Sequence, residues 1–247
     1  MSRYIAADTI RLFYDSPAFR RAQLDSLVRR LIPEAAVVYR QYDRVRDHRR
    51  VAVKSGQALD SLPIYDAHWI RLSGQILAYR KRILAQLQAA LNACDRVAAV
   101  TNDATLDLVY VYGGGYTADY NSALQASITP GPYYTIGPHT DDFYISLNGR
   151  SSVQYYSRGI NRMLALLLSG TEQRLINTAY ATRSIMLLDD PFIELDAANK
   201  SIIMRYFKDQ FYAIYATVDS THQFGPADEF QVHAGDVSII AKSPIRT

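Results

Sequence analysis

Residues 184 to 196, Ser-Ile-Met-Leu-Leu-Asp-Asp-Pro-Phe-Ile-Glu-Leu-Asp, read as a buried strand that ends in two carboxylates and turns into a helix. Such a strand can set one acid beside a Mg²⁺ ion and the other beside an attacking water, the arrangement phosphoryl transfer requires. The bland alternative is that Asp189 and Asp190 only mark where an apolar strand reaches solvent. The turn that follows weighs against it, since Asp196 can also cap a helix beginning at Ala197. About 25 residues upstream, Ser157-Arg158-Gly159-Ile160-Asn161-Arg162 opens an apolar helix. A serine, a glycine and free amides at a helix N-terminus suit a phosphate, although Ser157 could serve only as a cap and Gly159 only to permit a tight turn. One part of a nucleotide site is missing: G-x-x-x-x-G-K-[ST], whose amides and lysine would hold the phosphates, occurs nowhere in the chain.

Other polar groups have two readings each. His139, Asp141 and Asp142 could ligate a metal, but a turn and strand cap accounts for them more simply. Between Arg40 and Lys54 lie Arg40, Arg44, Arg46, Arg49, Arg50 and Lys54 against only Asp43 and Asp47. That run is either a DNA-contacting face, with Arg44, Arg46, Arg49 and Arg50 on phosphates, or a solvated helix surface. The 19 tyrosines fall mostly at apolar positions of strands and helices, where core packing explains them better than stacking on bases.

These groups need elements to position them. Ser16-Pro17 starts a helix that carries Leu24, Leu27, Val28 and Leu31 on one face and stops at Pro33. A second helix is predicted from Glu34 to Ser55, and a third, the longest, runs from Trp69 to Cys94 as in an antiparallel arm. From Thr105 the period changes to two, and Asn148-Gly149 signals a hairpin with a return strand at 151–156. A helix over 160–176, the acidic strand at 184–188, a helix over 197–208 and a strand at 212–217 imply a parallel unit, followed by two short strands within 228–241. The expected division is a helical lobe over 1–103 and a head over 104–247.

Composition sets the outer bounds. With 247 residues, 49% hydrophobic and 21% charged, the chain can bury a real core. A formal charge of +3 makes the whole-molecule field a weak argument for nucleic acid, so local clusters matter more. The single cysteine, Cys94, excludes an intramolecular disulfide and fits a reducing cytoplasm. No apolar run reaches the ~18 residues of a membrane span.

In order, Gly137-Pro-His-Thr-Asp-Asp, Leu147-Asn-Gly149, Ser157-x-Gly159 opening a helix, and Leu-Leu-Asp-Asp-x-x-x-Glu-Leu-Asp resemble the RecF family of ABC/SMC-type ATPases. Asp15-Ser16-Pro17, Arg20-Arg21 and Leu24-Asp25 are similar to that family's approach to its helical lobe, and the likeness runs from about Tyr4 to about Ile240. It implies an α/β ABC/SMC-type ATPase head, incomplete here, with an inserted helical lobe. By the same resemblance Asp189 is the Walker B acid supporting Mg²⁺ through water and Asp190 the catalytic carboxylate. Ser157 and Gly159 are the signature residues that touch the γ-phosphate of ATP held by the opposite protomer, and Asp196, in the D-loop, crosses the dimer interface. The resemblance further implies ATP-driven homodimerisation, binding of double-stranded DNA near single-strand gaps in recombinational repair and the SOS response, and RecR and RecO as partners.

The chain departs from the pattern at three places. Ile160 and Asn161 stand where the family has two glutamines, Pro191 follows the acid pair, and the lobe with the Walker A loop is not matched. The reading frame is expected to be truncated, or that lobe to come from another polypeptide. His222 follows a strand end where ABC transporters place a switch histidine, but Thr217 fits the family's threonine-rich loop at least as well. Two competing readings remain: a noncatalytic DNA- or protein-interaction module, and a stand-alone phosphoesterase with metal held by Asp141, Asp142, Asp189 and Asp190.

Overall fold

The computed structural model describes residues 2–5, 16–56, 59–101, 103–115, 119–216, 229–233 and 236–241. Helix α1 (Pro17–Leu31) starts where Ser16 Oγ accepts the Phe19 amide at 3.4 Å, and it buries Leu24, Leu27 and Val28. Helix α2 (Ala35–Ser55) ends at Gly56, whose φ of 67° is left-handed and costs glycine little. Helix α3 (Leu62–Asn92) is the long one and packs back along α2. Trp69, Leu72, Ile76, Ile83 and Leu87 form its buried stripe. A short α4 (Asp95–Thr101) leads out of this helical block.

Two sheets follow. In the first, β2 (Leu106–Val111) runs antiparallel to β3 (Asp142–Leu147), with Leu106 opposite Leu147 and Val111 opposite Asp142. Helix α5 (Tyr120–Ala126) lies in the connection between them, a stretch in which the sequence shows no period. Asn148 and Gly149, at φ 48° and 74°, make the two-residue turn into β4 (Arg150–Ser151). The return strand expected at 151–156 stops there: residues 152–155 are a single helical turn, α6 (Ser152–Tyr155). The cause is Asn161, whose Nδ2 donates to the Ser152 carbonyl at 3.1 Å and the Tyr156 carbonyl at 3.3 Å. Those acceptors are therefore turned away from any strand partner.

The second sheet is parallel and carries the acid pair. Its order is β1 (Ser2–Ile5), β5 (Ile185–Asp189), β6 (Tyr212–Ala216), with Tyr4 opposite Leu187 and Leu187 opposite Ile214. Helix α7 (Arg158–Ala179) precedes β5, and α8 (Ala197–Gln210) connects β5 to β6. Met186 and Leu188 are at 0% and 1% exposure, and they join α7 and α8 in one core that continues into α1–α3. Strands β7 (Glu229–His233) and β8 (Asp236–Ala241) form a separate antiparallel hairpin. Thr217 and His222 lie outside the described residues.

Candidate functional site

Asp189 is the last residue of β5, and the Asp190 amide still bonds across to the Ala216 carbonyl at 2.8 Å. The backbone then breaks sharply: Asp190 has φ 43° and Glu194 φ 66°, both in the left-handed region that non-glycine residues rarely occupy. Something must hold this turn against its strain. Arg162, buried in α7, donates from Nε to the Pro191 carbonyl at 3.1 Å and from Nη2 to the Asp190 carbonyl at 2.7 Å. Pro191, Phe192 and Leu195 are buried beneath the loop, and Phe192 stacks on Tyr215 of β6. Both acids are thereby held half-buried at the carboxyl end of the central strand.

The start of α7 lies against the same loop. Ser157 is its N-cap, with Oγ accepting the Ile160 amide at 3.3 Å, and is exposed. A Cβ placed on Gly159 would stand 3.0 Å from the Glu194 carbonyl oxygen, so only glycine lets helix and loop approach this closely. Arg158 reaches Glu194 at 3.3 Å across the same seam. Asp196 caps α8 with a 2.8 Å bond from the Asn199 amide to Oδ1 and a 2.9 Å bond from Asn199 Nδ2 to Oδ2. Ser157, Gly159, Asp190 and Asp196 thus belong to one continuous surface. Nothing in the sequence singles out Arg162, the side chain that joins its two halves.

The second acid cluster has a different character. Asp141 is at 0% exposure and accepts from the Gly113 amide at 2.8 Å, Tyr110 at 2.6 Å and Tyr120 at 3.0 Å, with Arg80 3.8 Å away. Burial pushes its carboxyl up despite those donors. Asp142 is bound in fork fashion by Arg20 at 2.8 and 2.6 Å. His139 lies between Tyr42 at Nδ1, 2.8 Å, and the Tyr134 carbonyl at Nε2, 3.0 Å. The carbonyl can only accept, so Nε2 carries the proton and Nδ1 accepts from Tyr42. Burial, reinforced by Arg46, holds the ring's pKa down to about 4. Among the described residues no group of three or more His, Cys, Asp or Glu is placed to hold a metal ion. The phosphoesterase reading finds no support in this cluster, since Asp141 is fully buried among its donors and Asp142 is held by Arg20.

The arginine run of α2 needs one correction and one refinement. Arg49 is 1% exposed and is not on a DNA-facing surface: its Nε donates to Asp66 at 2.8 Å, and Nη1 and Nη2 donate to the carbonyls of Gly131 and Thr129. Its position explains this, because Val38, Tyr42, Val45 and Arg49 recur at helical spacing on the inward face. Arg46 lies over the Tyr42 ring and 4.0 Å from Asp43, and Arg50 pairs with Asp47 at 2.9 Å. Arg44 is exposed.

A parallel strand ending in two acids, followed by a pinned loop and flanked by a serine-capped helix, defines an α/β arrangement built on a parallel sheet. Two solved structures of the recombination mediator protein RecF in the RecFOR pathway, one with ATP and one with ATPrS, superpose with TM-scores of 0.78 and 0.76. Each is 23% identical to this chain and covers 98% of it and 68% of its own length. The DNA replication and repair protein RecF of Deinococcus deserti is 28% identical over 234 residues, 94% of this chain and 64% of that protein. The RecF proteins of Deinococcus radiodurans and Myxococcus xanthus are 28% and 26% identical, over 81% and 95% of this chain and 56% and 67% of their own. No protein-family model matches. The chain is RecF-like, and it spans less than two thirds of the length of the two Deinococcus relatives.

Proposed function

We propose that this chain is a DNA replication and repair factor of RecF type whose head contributes the acid pair, the signature start and the D-loop to an ATP site shared between two protomers. The carrying observation is that Arg162 and Gly159 lock the start of α7 against the loop bearing Asp190 and Asp196. A phosphate held by a facing protomer would meet Ser157 and the first-turn amides of α7. The same contact would be felt at Asp190 through Arg162. Asp189 would support the Mg²⁺ of a bound ATP through a coordinated water, and that ATP would supply the γ-phosphoryl group for transfer to a separate, attacking water. Asp190 would position or deprotonate the attacking water, and Asp196 would reach across the dimer interface while capping α8.

In this reading ATP controls dimerisation, the dimer binds double-stranded DNA near single-strand gaps in recombinational repair, and RecR and RecO are its partners. No described helix is long and apolar enough to cross a membrane. The decisive experiment mixes the chain with the P-loop portion of a RecF relative and measures ATP hydrolysis. Hydrolysis should appear on mixing and disappear with Asp190→Asn. Hydrolysis that survives this change would remove Asp190 from the role, and none at all would favour a noncatalytic interaction module.

A further inference from the structure

Helix α3 carries a basic surface that the arginine run of α2 conceals when the sequence is read alone. On a helical wheel at 100° per residue, Ala67, Arg71, Ala78, Arg82, Ala85 and Ala89 fall within about 40° of one another's mean direction. All six are exposed. The only acid in the 31 residues of α3 is Asp66, and it is turned inward to Arg49 and Tyr134. Arg71 donates to Gln75 at 3.5 Å, and among the described residues neither Arg71 nor Arg82 has an ion-pair partner. Helix α2 adds Arg40 and Arg44, also exposed and without such a partner, whereas Arg46 and Arg50 face their own aspartates. The edge contact of His48 with Tyr65, ring centres 6.0 Å apart, holds α2 against α3. Four uncompensated guanidinium groups therefore lie on the exposed surface of a two-helix layer, and on α3 the alanines beside them let a rigid polyanion approach the helix.

We infer that this α2–α3 face, through Arg40, Arg44, Arg71 and Arg82, is a phosphate-contact surface for duplex DNA. The inference rests on the DNA-binding role proposed for this chain and replaces Arg46, Arg49 and Arg50 by residues whose charge is available. Arg71 and Arg82 lie 11 residues apart, about 16 Å along the helix, or roughly five phosphate steps on one strand of B-DNA. Contacts of this kind read no base sequence and reveal themselves in the dependence of affinity on salt.

The test is the salt dependence of binding of the full chain to a fluorescent gapped duplex, measured by anisotropy. Removing one arginine that pairs with a phosphate should lower the slope of log Kd against log salt by about one. The Arg71→Ala/Arg82→Ala pair should lower it by about two, Arg40→Ala/Arg44→Ala by a similar amount, and Arg46→Ala/Arg50→Ala by far less. Arg71→Lys/Arg82→Lys, which keeps both charges, should retain the wild-type slope. If the wild type binds and the Arg71/Arg82 pair leaves its slope unchanged, the assignment of this face is wrong. If the wild type shows no salt-dependent binding to DNA, the nucleic-acid reading itself falls, and retention on an acidic polypeptide would assign the face to a protein partner instead.

Discussion

Asp25, Asp66 and Asp142 are each held by a guanidinium where the helical block meets the β2–β3 sheet, whereas Asp189 and Asp190 sit on a loop whose guanidinium, Arg162, holds backbone carbonyls. In the first region the side chains fix one another. Arg80 donates to both oxygens of Asp25 at 2.7 and 2.9 Å and to the Pro138 carbonyl at 2.7 Å, and Tyr39 donates to the same carboxylate. Burial alone would lower the arginine's pKa, and the Asp25 carboxylate more than reverses that, so the guanidinium stays charged. In the second region the backbone is fixed, through two left-handed residues, and the acids are left half-buried at the end of a strand. Mutual satisfaction of buried charge builds structure. A strained turn with half-buried acids at a strand end is where a site can form.

The sharpest way to break this contrast is to remove Arg80. Arg80→Met would leave Asp25 and Asp141 without their cation in a region where Arg80 and Asp141 side chains are 3% and 0% exposed. The expected loss is about 3–5 kcal/mol in urea unfolding. Arg80→Lys should recover only part of it, since a single ammonium cannot replace a planar fork on two carboxylate oxygens and a carbonyl. Hydrogen exchange in 189–196 should change no more than global unfolding requires. Selective loosening of that loop would mean that the two regions are one unit.

A smaller effect follows from His139. Its folded pKa of about 4 lies below the ordinary 6.5, so the native ring stays neutral while the unfolded ring takes up a proton. Stability from this group is complete above about pH 6.5 and is lost as pH falls toward 4. Between pH 7.5 and pH 5 the loss should be about 2 kcal/mol. His139→Gln should flatten the pH dependence, and an unchanged curve would mean that other groups set it.

Much of the head was legible because its elements carry strong local marks. Ser157 and Asp196 cap the helices they precede, Asn148-Gly149 makes its turn, and the apolar run before Asp189 is the central strand. Three kinds of feature were legible only in part or not at all. The short helices α4 and α5 have 7 residues each, too few to display a 3.6-residue period. Residues 151–156 read as a return strand from the Asn148-Gly149 hairpin signal, but residues 152–155 form a helical turn whose Ser152 carbonyl accepts from the Asn161 side chain nine residues on. The buried arginines were legible in part. Arg80 follows Trp69, Leu72 and Ile76 on the inward stripe of α3, as Arg49 follows Val45 on α2, so the period points inward while the residue type points outward. Arg162 gives no such signal, because every residue from Asn161 to Gln173 is buried and the stripe has no edge.

The smallest expected change in stability tests the head most directly. Gly159 lies in the first turn of α7, so Gly159→Ala should favour the helix by up to about 1 kcal/mol through lower backbone entropy in the unfolded chain. Its new methyl group would meet the Glu194 carbonyl at 3.0 Å, a cost of similar size in a loop already at φ 66°. The two terms oppose each other, and net unfolding free energy should move by less than about 1 kcal/mol. Local behaviour should separate them. The Leu195 amide, bonded to the Phe192 carbonyl at 3.1 Å, should exchange several-fold faster as the loop is pushed from the helix. Unchanged exchange at Leu195 would mean that the loop yields without cost, and the start of α7 would no longer constrain the residues that carry the acids.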